Sequence, residues 1–266
     1  MLGFLLEFVH LRRLSNLSNM NIHELQMRSR DFRKTLQEIK ESSAPKDFPW
    51  YPFGTLTNFD HLENLLTGDH RRLLELAGNG PVADVGAADG ELAFFLESLG
   101  MEVDIVDYAP TNYNSLRGVV LIKDLLGSRI AIRELNLDSY FDWPRRNYGL
   151  VFFLGVLYHL KNPYFVLESL AKVTRYAVLS TRIAQFTPDM KTRIAETPVA
   201  YLLDSTESNN DATNFWIFSD AGLKRILHRT GWDILDYMRG GNLTNSDPAS
   251  PGGDERAFAL LKSRQF

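Results

Sequence analysis

From Gly78 onward the chain alternates short apolar runs with amphipathic stretches: "VADVG" then a helical pattern over 91–99, "EVDIVD" then 112–126, "IAIREL", "YGLVFFLG" then 163–173, and "YAVLSTRI". Few folds accept this rhythm. Strands that are apolar on both faces need cover on both, and a parallel pair needs a long crossover, usually a helix. The alternation therefore predicts an α/β fold: an open, mainly parallel sheet with helices on both faces. Two further runs, near 232–238 and 256–261, flank "GGNLTNSDPASPGG", which reads as a long hairpin connection. The expected sheet has seven strands, the last one antiparallel.

Local signals agree. Leu92, Phe95, Leu96 and Leu99 fall at helical spacing before the stop at Gly100, and Asn162-Pro163 supplies an N-cap with proline at the first helical position. Ser219 and Gly231 bracket another helix, carrying Leu223, Ile226 and Leu227. Upstream, 21–41 is polar and helix-favouring, with Ile22, Leu25, Leu36 and Ile39 as its apolar positions, until the prolines of "SSAPKDFPWYPFG" end it. Trp50, Tyr51 and Phe53 crowd that break, either packed over a core or lining a pocket. A helix over 60–77 follows.

These divisions predict a helical N-terminal extension with its aromatic segment over 1–79, and a cofactor-binding domain over 80–266. Within the latter, residues 184–215 have the weak patterning of a substrate-side insertion or lid. The N-terminal "MLGFLLEFVHLRRL" is apolar for too short a run to span a membrane, contains Glu7, and has its arginines after the apolar run, so it reads as an amphipathic docking helix.

The sequence holds no cysteine, which excludes disulfides, thiolate metal sites and a cysteine nucleophile, and is compatible with a cytoplasmic setting. A net charge of -4 supplies no global field favouring nucleic acid, while a local basic patch stays open. Charge therefore neither proves nor excludes an RNA substrate, and oligomeric state is undetermined.

The segment "VADVGAADGELAFFLESLG" is strand, turn and helix in order, the usual cradle for a ligand beyond the ends of a parallel sheet. In the dinucleotide pattern G-x-G-x-x-G the third glycine falls on Glu91, whose carboxylate opposes a pyrophosphate. The spacing Asp84-x-Gly86-x-Ala88-x-Gly90 instead resembles motif I of the class I S-adenosylmethionine-dependent methyltransferases, with Ala88 standing where that family commonly has glycine. The resemblance implies that Asp84, Gly86, Ala88, Asp89 and Gly90 form the S-adenosyl-L-methionine cradle in a Rossmann-like fold. Asp107, ending the next strand ahead of Tyr108, is placed to accept hydrogen bonds from two ribose hydroxyls. Asn136, the Leu137 amide or Asp138 then reads the adenine edge. Phe153, Leu154 and Gly155 lie beside the cofactor, with Tyr158 and His159 toward the transferred group.

"GVLYHLKNPYFVLESL" and "NFWIFSDAGLKRILHRTGWDIL" resemble the tRNA wobble-uridine carboxymethyltransferase family, over roughly 49–261. That resemblance implies that Tyr158 and Arg256 hold the extra carboxylate of a carboxylated S-adenosylmethionine. The family's upstream K-G-P-F segment carries a lysine facing the reacting group; here the region reads "PWYPFG". The missing cation favours ordinary methyl transfer, with carboxymethyl transfer and a non-catalytic binding scaffold as the alternatives.

Overall fold

A capping box opens the first helix: Asn21 Oδ1 accepts from the Glu24 amide at 3.0 Å, and Glu24 Oε2 accepts from the Asn21 amide at 3.1 Å. The helix, α1 (Ile22–Ser43), buries Ile22, Leu25, Gln26, Ser29, Leu36 and Lys40, positions three or four apart, or a multiple, that share one face. The computed structural model describes residues 20–43 and 45–266. The docking helix expected in "MLGFLLEFVHLRRL" lies outside them.

The chain forms two compact units. The first holds the described residues up to Glu134 together with Tyr148–Leu150; the second holds Leu135–Asn147 and Val151–Phe266. This division does not fall at residue 79, because the N-terminal extension packs as an integral layer of the first unit.

In that unit β1 (Val82–Val85) pairs in parallel with β2 (Val103–Asp107), which pairs in parallel with β3 (Ala131–Glu134). Between β1 and β2 runs α3 (Glu91–Ser98), which follows α2 (Asn58–Leu65) in the chain. Helix α3 is buried nearly all round, from Glu91 to Leu96. The reason is cover on both sides. It packs on β1 and β2, while Phe95 also meets Phe32 of α1 and Phe59 of α2, with ring centroids 5.7 and 5.3 Å apart. The helix expected over 60–77 is only partly present: α2 ends at Leu65, and single 3-10 turns at Gly68–Arg71 and Leu73–Ala77 complete the stretch. Likewise α4 (Arg117–Leu126) begins five residues later than the 112 expected, because Asn112 and Asn114 are used as turn formers.

Strand β4 (Tyr148–Leu154) gives its opening residues to the first unit and the remainder to the second. The second unit continues with α5 (Pro163–Ala171), β5 (Thr174–Ala184), β6 (Ala200–Leu202), β7 (Trp216–Ser219), α6 (Asp220–Arg229), β8 (Trp232–Gly241) and β9 (Glu255–Ser263). Both expected caps form: Asn162 Oδ1 accepts from the Phe165 amide at 3.2 Å, and Ser219 Oγ from the Gly222 amide at 2.9 Å. β5 and β7 are parallel; β6–β7, β5–β9 and β8–β9 are antiparallel. Among the described residues the sheet holds nine strands in place of the expected seven, because β6 arises inside the presumed insertion and β7 directly after it. No helix among the described residues is long and apolar enough to cross a membrane.

Candidate functional site

The expected site residues divide between the two units. In the first, the chain leaves β1 through Gly86 (φ 70), Ala88 (φ 55) and Gly90 (φ 78), three left-handed residues within five. Gly90 has a second reason to be glycine: an added Cβ would lie 2.8 Å from Phe94 and 3.0 Å from Ile105. Ala88 holds the same backbone region with a methyl group, at a cost of roughly 1 kcal/mol.

Four carboxylates surround this turn, and they fare differently. Asp84 is 4% exposed and its Oδ2 has no hydrogen-bond partner among the described residues. Burial, reinforced by the neighbouring negative charge of Asp107 and only partly offset by the Ala93 amide, pushes its pKa up to about 7. Asp107 is half-buried at the end of β2. Its Oδ1 accepts from the Tyr108 amide at 2.7 Å and its Oδ2 from Asn112 Nδ2 at 3.0 Å. Burial raises its pKa against the pull of those donors and of the Ala88 and Ala87 amides. The same Asn112 amide donates to the Ala88 carbonyl at 3.0 Å, so one side chain ties the turn to the second acid. Asn112 has no motif signal and was not legible beforehand.

Asp89 and Glu91 are committed elsewhere. Asp89 is 2% exposed, accepts from the Tyr51 amide at 2.9 Å and from Asn114 Nδ2 at 2.7 Å, and lies 3.5 Å from Lys40 Nζ. Glu91 pairs with Lys40 at 2.6 Å and accepts from the Thr55 amide at 3.2 Å. Both oxygens of Asp89 are thus engaged by donors of the protein itself. A Cβ at Gly118 of α4 would collide with Asp89 Oδ1, which fixes how closely this carboxylate is enclosed. The aromatic segment shares the work: Trp50 lies over Lys40 Nζ at 4.6 Å, while Tyr51 meets Phe53 and Tyr113 edge-on.

In the second unit, Phe153 is fully buried in the core, so its side chain is not a cofactor wall; Leu154 and Gly155 (φ 74) beyond it are half-buried. Asn136 turns its Oδ1 back onto the Asp138 amide at 2.9 Å, and Asp138 Oδ1 accepts from the Lys161 amide at 2.8 Å. Both polar side chains thus shape their own loop, with Leu137 between them.

A single 3-10 turn, Leu157–His159, carries Tyr158 and His159. The Phe215 amide donates to the Tyr158 carbonyl at 2.8 Å, laying the segment before β7 along this turn. Thr213 Oγ1 donates to Asp211 at 2.6 Å and so faces His159 Nδ1, 3.0 Å away, as an acceptor. The Thr213 carbonyl lies at 3.2 Å. With two acceptors facing it, Nδ1 carries the proton and Nε2 is the basic nitrogen. Burial holds the imidazole below its ordinary pKa, helped by Arg256 and opposed by the Thr213 carbonyl and Asp211, so the ring is neutral at pH 7.

Arg256 of β9 stacks over the Tyr158 ring, 5.6 Å from its centroid, and its Nε donates to Asp254 at 3.2 Å. The next acid, Glu255, pairs with Arg239 at 3.2 Å and accepts from Gln185 at 2.9 Å. Arg182, which β5 places opposite Arg256, is spent on the carbonyls of Asp247 and Ser250 and on Ser208.

Set against known proteins, this geometry has fold relatives and no sequence relatives. No protein-family model and no curated protein matches the chain. The N-terminal domain of EvdMO1, solved with SAH bound, matches with a TM-score of 0.52 at 15% identity, over 92% of this chain and 97% of that one. The PH0226 protein of Pyrococcus horikoshii matches at 0.51 and 14% identity, over 82% and 97%. BH2331 of Bacillus halodurans, a methyltransferase by assignment, matches at 0.50 and 11%, over 72% and 96%. The chain has the Rossmann-like α/β fold of these proteins. At such identities the likeness carries the fold alone.

Proposed function

We propose that this protein is an S-adenosylmethionine-dependent methyltransferase. One observation carries the reading: Asp84 and Asp107, both with raised pKa values, stand at the left-handed turn leaving β1 with no cation of the protein paired to either among the described residues. Buried like charges without a cation fit a ligand that brings its own positive charge. Asp107 ends β2, where an acid suits the hydroxyl pair of a ribose. The SAH bound to EvdMO1 agrees with this choice of ligand.

When bound, S-adenosylmethionine supplies an electrophilic methyl group on a sulfonium centre. The protein's share is to orient the acceptor in line and to exclude water. The Tyr158 hydroxyl orients the nucleophile, and His159 Nε2 takes its proton where one must leave. Arg256 is already partnered by Asp254 and Tyr158, so the extra carboxylate of a carboxylated cofactor would compete for an occupied guanidinium. That favours the plain cofactor over the carboxylated one, and the acceptor stays open between a small molecule and a tRNA.

Calorimetry with S-adenosylmethionine and SAH tests the cofactor, and transfer of a labelled methyl group across a panel of metabolites and tRNAs tests the reaction. Failure of both ligands to bind would remove the reading. A preference for the carboxylated cofactor that disappears in Arg256→Ala would replace methyl with carboxymethyl transfer.

A further inference from the structure

Lys40 is the least expected participant in the first unit. It lies in α1, 8% exposed, 51 residues before the nearer of its two carboxylate partners along the contact it makes best, Glu91 at 2.6 Å. One ammonium there serves two buried acids on either side of Gly90, which is the cap of α3 and part of the left-handed turn. Trp50 closes over the ammonium at 4.6 Å, and the Tyr51 and Thr55 amides take further lone pairs of the same two acids. The turn is therefore held from outside by the N-terminal extension, together with Asn112 and Asn114.

We propose that Lys40 is a positioning residue for the cofactor turn, so that docking of α1 and the segment 48–55 and ordering of Gly86–Glu91 are one equilibrium. The proposal rests on the methyltransferase reading only for the identity of the ligand. Asp89 and Glu91 lose their shared counter-charge when Lys40 leaves, and two like charges on neighbouring positions then repel in a dry setting. The residues between and before them are the left-handed ones, tied by isolated bonds from the Gly86 amide to the Val106 carbonyl, from the Gly90 amide to the Ala87 carbonyl and from Asn112 to the Ala88 carbonyl rather than by a continuous ladder. Coupling of this kind is reciprocal: whatever ligand orders the turn also protects α1.

The test uses the full chain and the variants Lys40→Met, Lys40→Arg and Lys34→Met. Lys34 pairs with Asp31 on the exposed face of the same helix and controls for loss of a lysine from α1. Without ligand, hydrogen exchange at 86–91 should quicken roughly tenfold or more in Lys40→Met, stay near wild type in Lys34→Met, and be partly restored in Lys40→Arg. The amides of β1 and β2 should keep their protection in Lys34→Met and lose less of it than those of 86–91 in Lys40→Met. With SAH as probe, affinity should fall about tenfold or more in Lys40→Met, and SAH should slow exchange at 36–43 in the wild type. Unchanged exchange at 86–91 in Lys40→Met, or quickening spread evenly through β1 and β2, would overturn the proposal. If Lys40→Met does not fold, Trp50→Leu, which uncovers the ion pair without removing it, should show the same localised quickening in smaller degree, and its absence there overturns the proposal equally. If wild type binds no SAH, the methyltransferase reading fails while the exchange measurement still decides the role of Lys40.

Discussion

Two pairs of acids sit within the same strand-turn-helix neighbourhood of the first unit and end in opposite states. Asp89 and Glu91 are given a cation, two backbone amides and an asparagine by the protein itself. Asp84 and Asp107 receive amides and an asparagine, but no cation pairs with them among the described residues, and their pKa values rise. Both pairs are carboxylates. What separates the two pairs is whether the protein itself supplies a counter-charge.

The sharpest way to break this contrast is to remove the built-in charge. Lys40→Met should lower stability by about 3 to 5 kcal/mol, the usual penalty for stranding a buried partner. Thermal or denaturant melting measures it, and a loss below 1 kcal/mol would put Asp89 and Glu91 in the same class as the other pair. The next largest effect belongs to Asp107→Ala, which should weaken SAH binding by about 2 to 4 kcal/mol as charge-assisted bonds to the ribose are lost, with the melting temperature little changed. Calorimetry on the folded variant that finds wild-type affinity would deny Asp107 a ligand role.

Protons sharpen the same comparison. Asp84 has a folded pKa raised to about 7, so its contribution to stability is fully present below the ordinary unfolded carboxylate value and is lost as pH rises through about 7. Over that interval the cost is on the order of 4 kcal/mol, unless a cation arrives to offset it. Affinity for S-adenosylmethionine should therefore rise roughly tenfold between pH 6 and pH 8, with a proton released on binding, and Asp84→Asn should flatten the profile. A flat wild-type profile would mean that the ligand does not feel this carboxylate. The smallest effect concerns the turn itself: Ala88→Gly, relieving a left-handed alanine, should stabilise the protein by about 0.5 to 1 kcal/mol. Destabilisation by that substitution would show that the methyl group packs usefully.

The sequence made the strand-turn-helix legible because apolar period, glycine spacing and the acid ending β2 all act over a few residues. The five strands β1 to β5 and the caps Asn162 and Ser219 were readable for the same reason. β6 and β7 were not: they are three and four residues long, and β6 is largely exposed, so neither carries a period of its own. Their existence depends on pairing between residues such as Tyr201 and Ile217, which nothing local announces. Lys40 was hidden in a different way. In a polar helix a lysine between Ile39 and Glu41 looks like any solvated charge, and only the fold brings Glu91 to it. Asn112 and Asn114 read as turn residues, which they are, without disclosing that they also grip the two acid pairs.

The return of Tyr148–Leu150 to the first unit sets an order on synthesis. Tyr148 places its hydroxyl 3.0 Å from Asp104, a fully buried acid of β2, and Gly149 donates its amide to the Pro81 carbonyl at 3.0 Å, pressed so close to Ala77 that no side chain fits. A nascent chain that has emerged only as far as Glu134 lacks these contacts, and β1 is then the open edge of an incomplete sheet. On the ribosome the first unit thus closes only after the loop 135–147 has been made, and the left-handed turn after β1 that it supports matures no earlier than that moment.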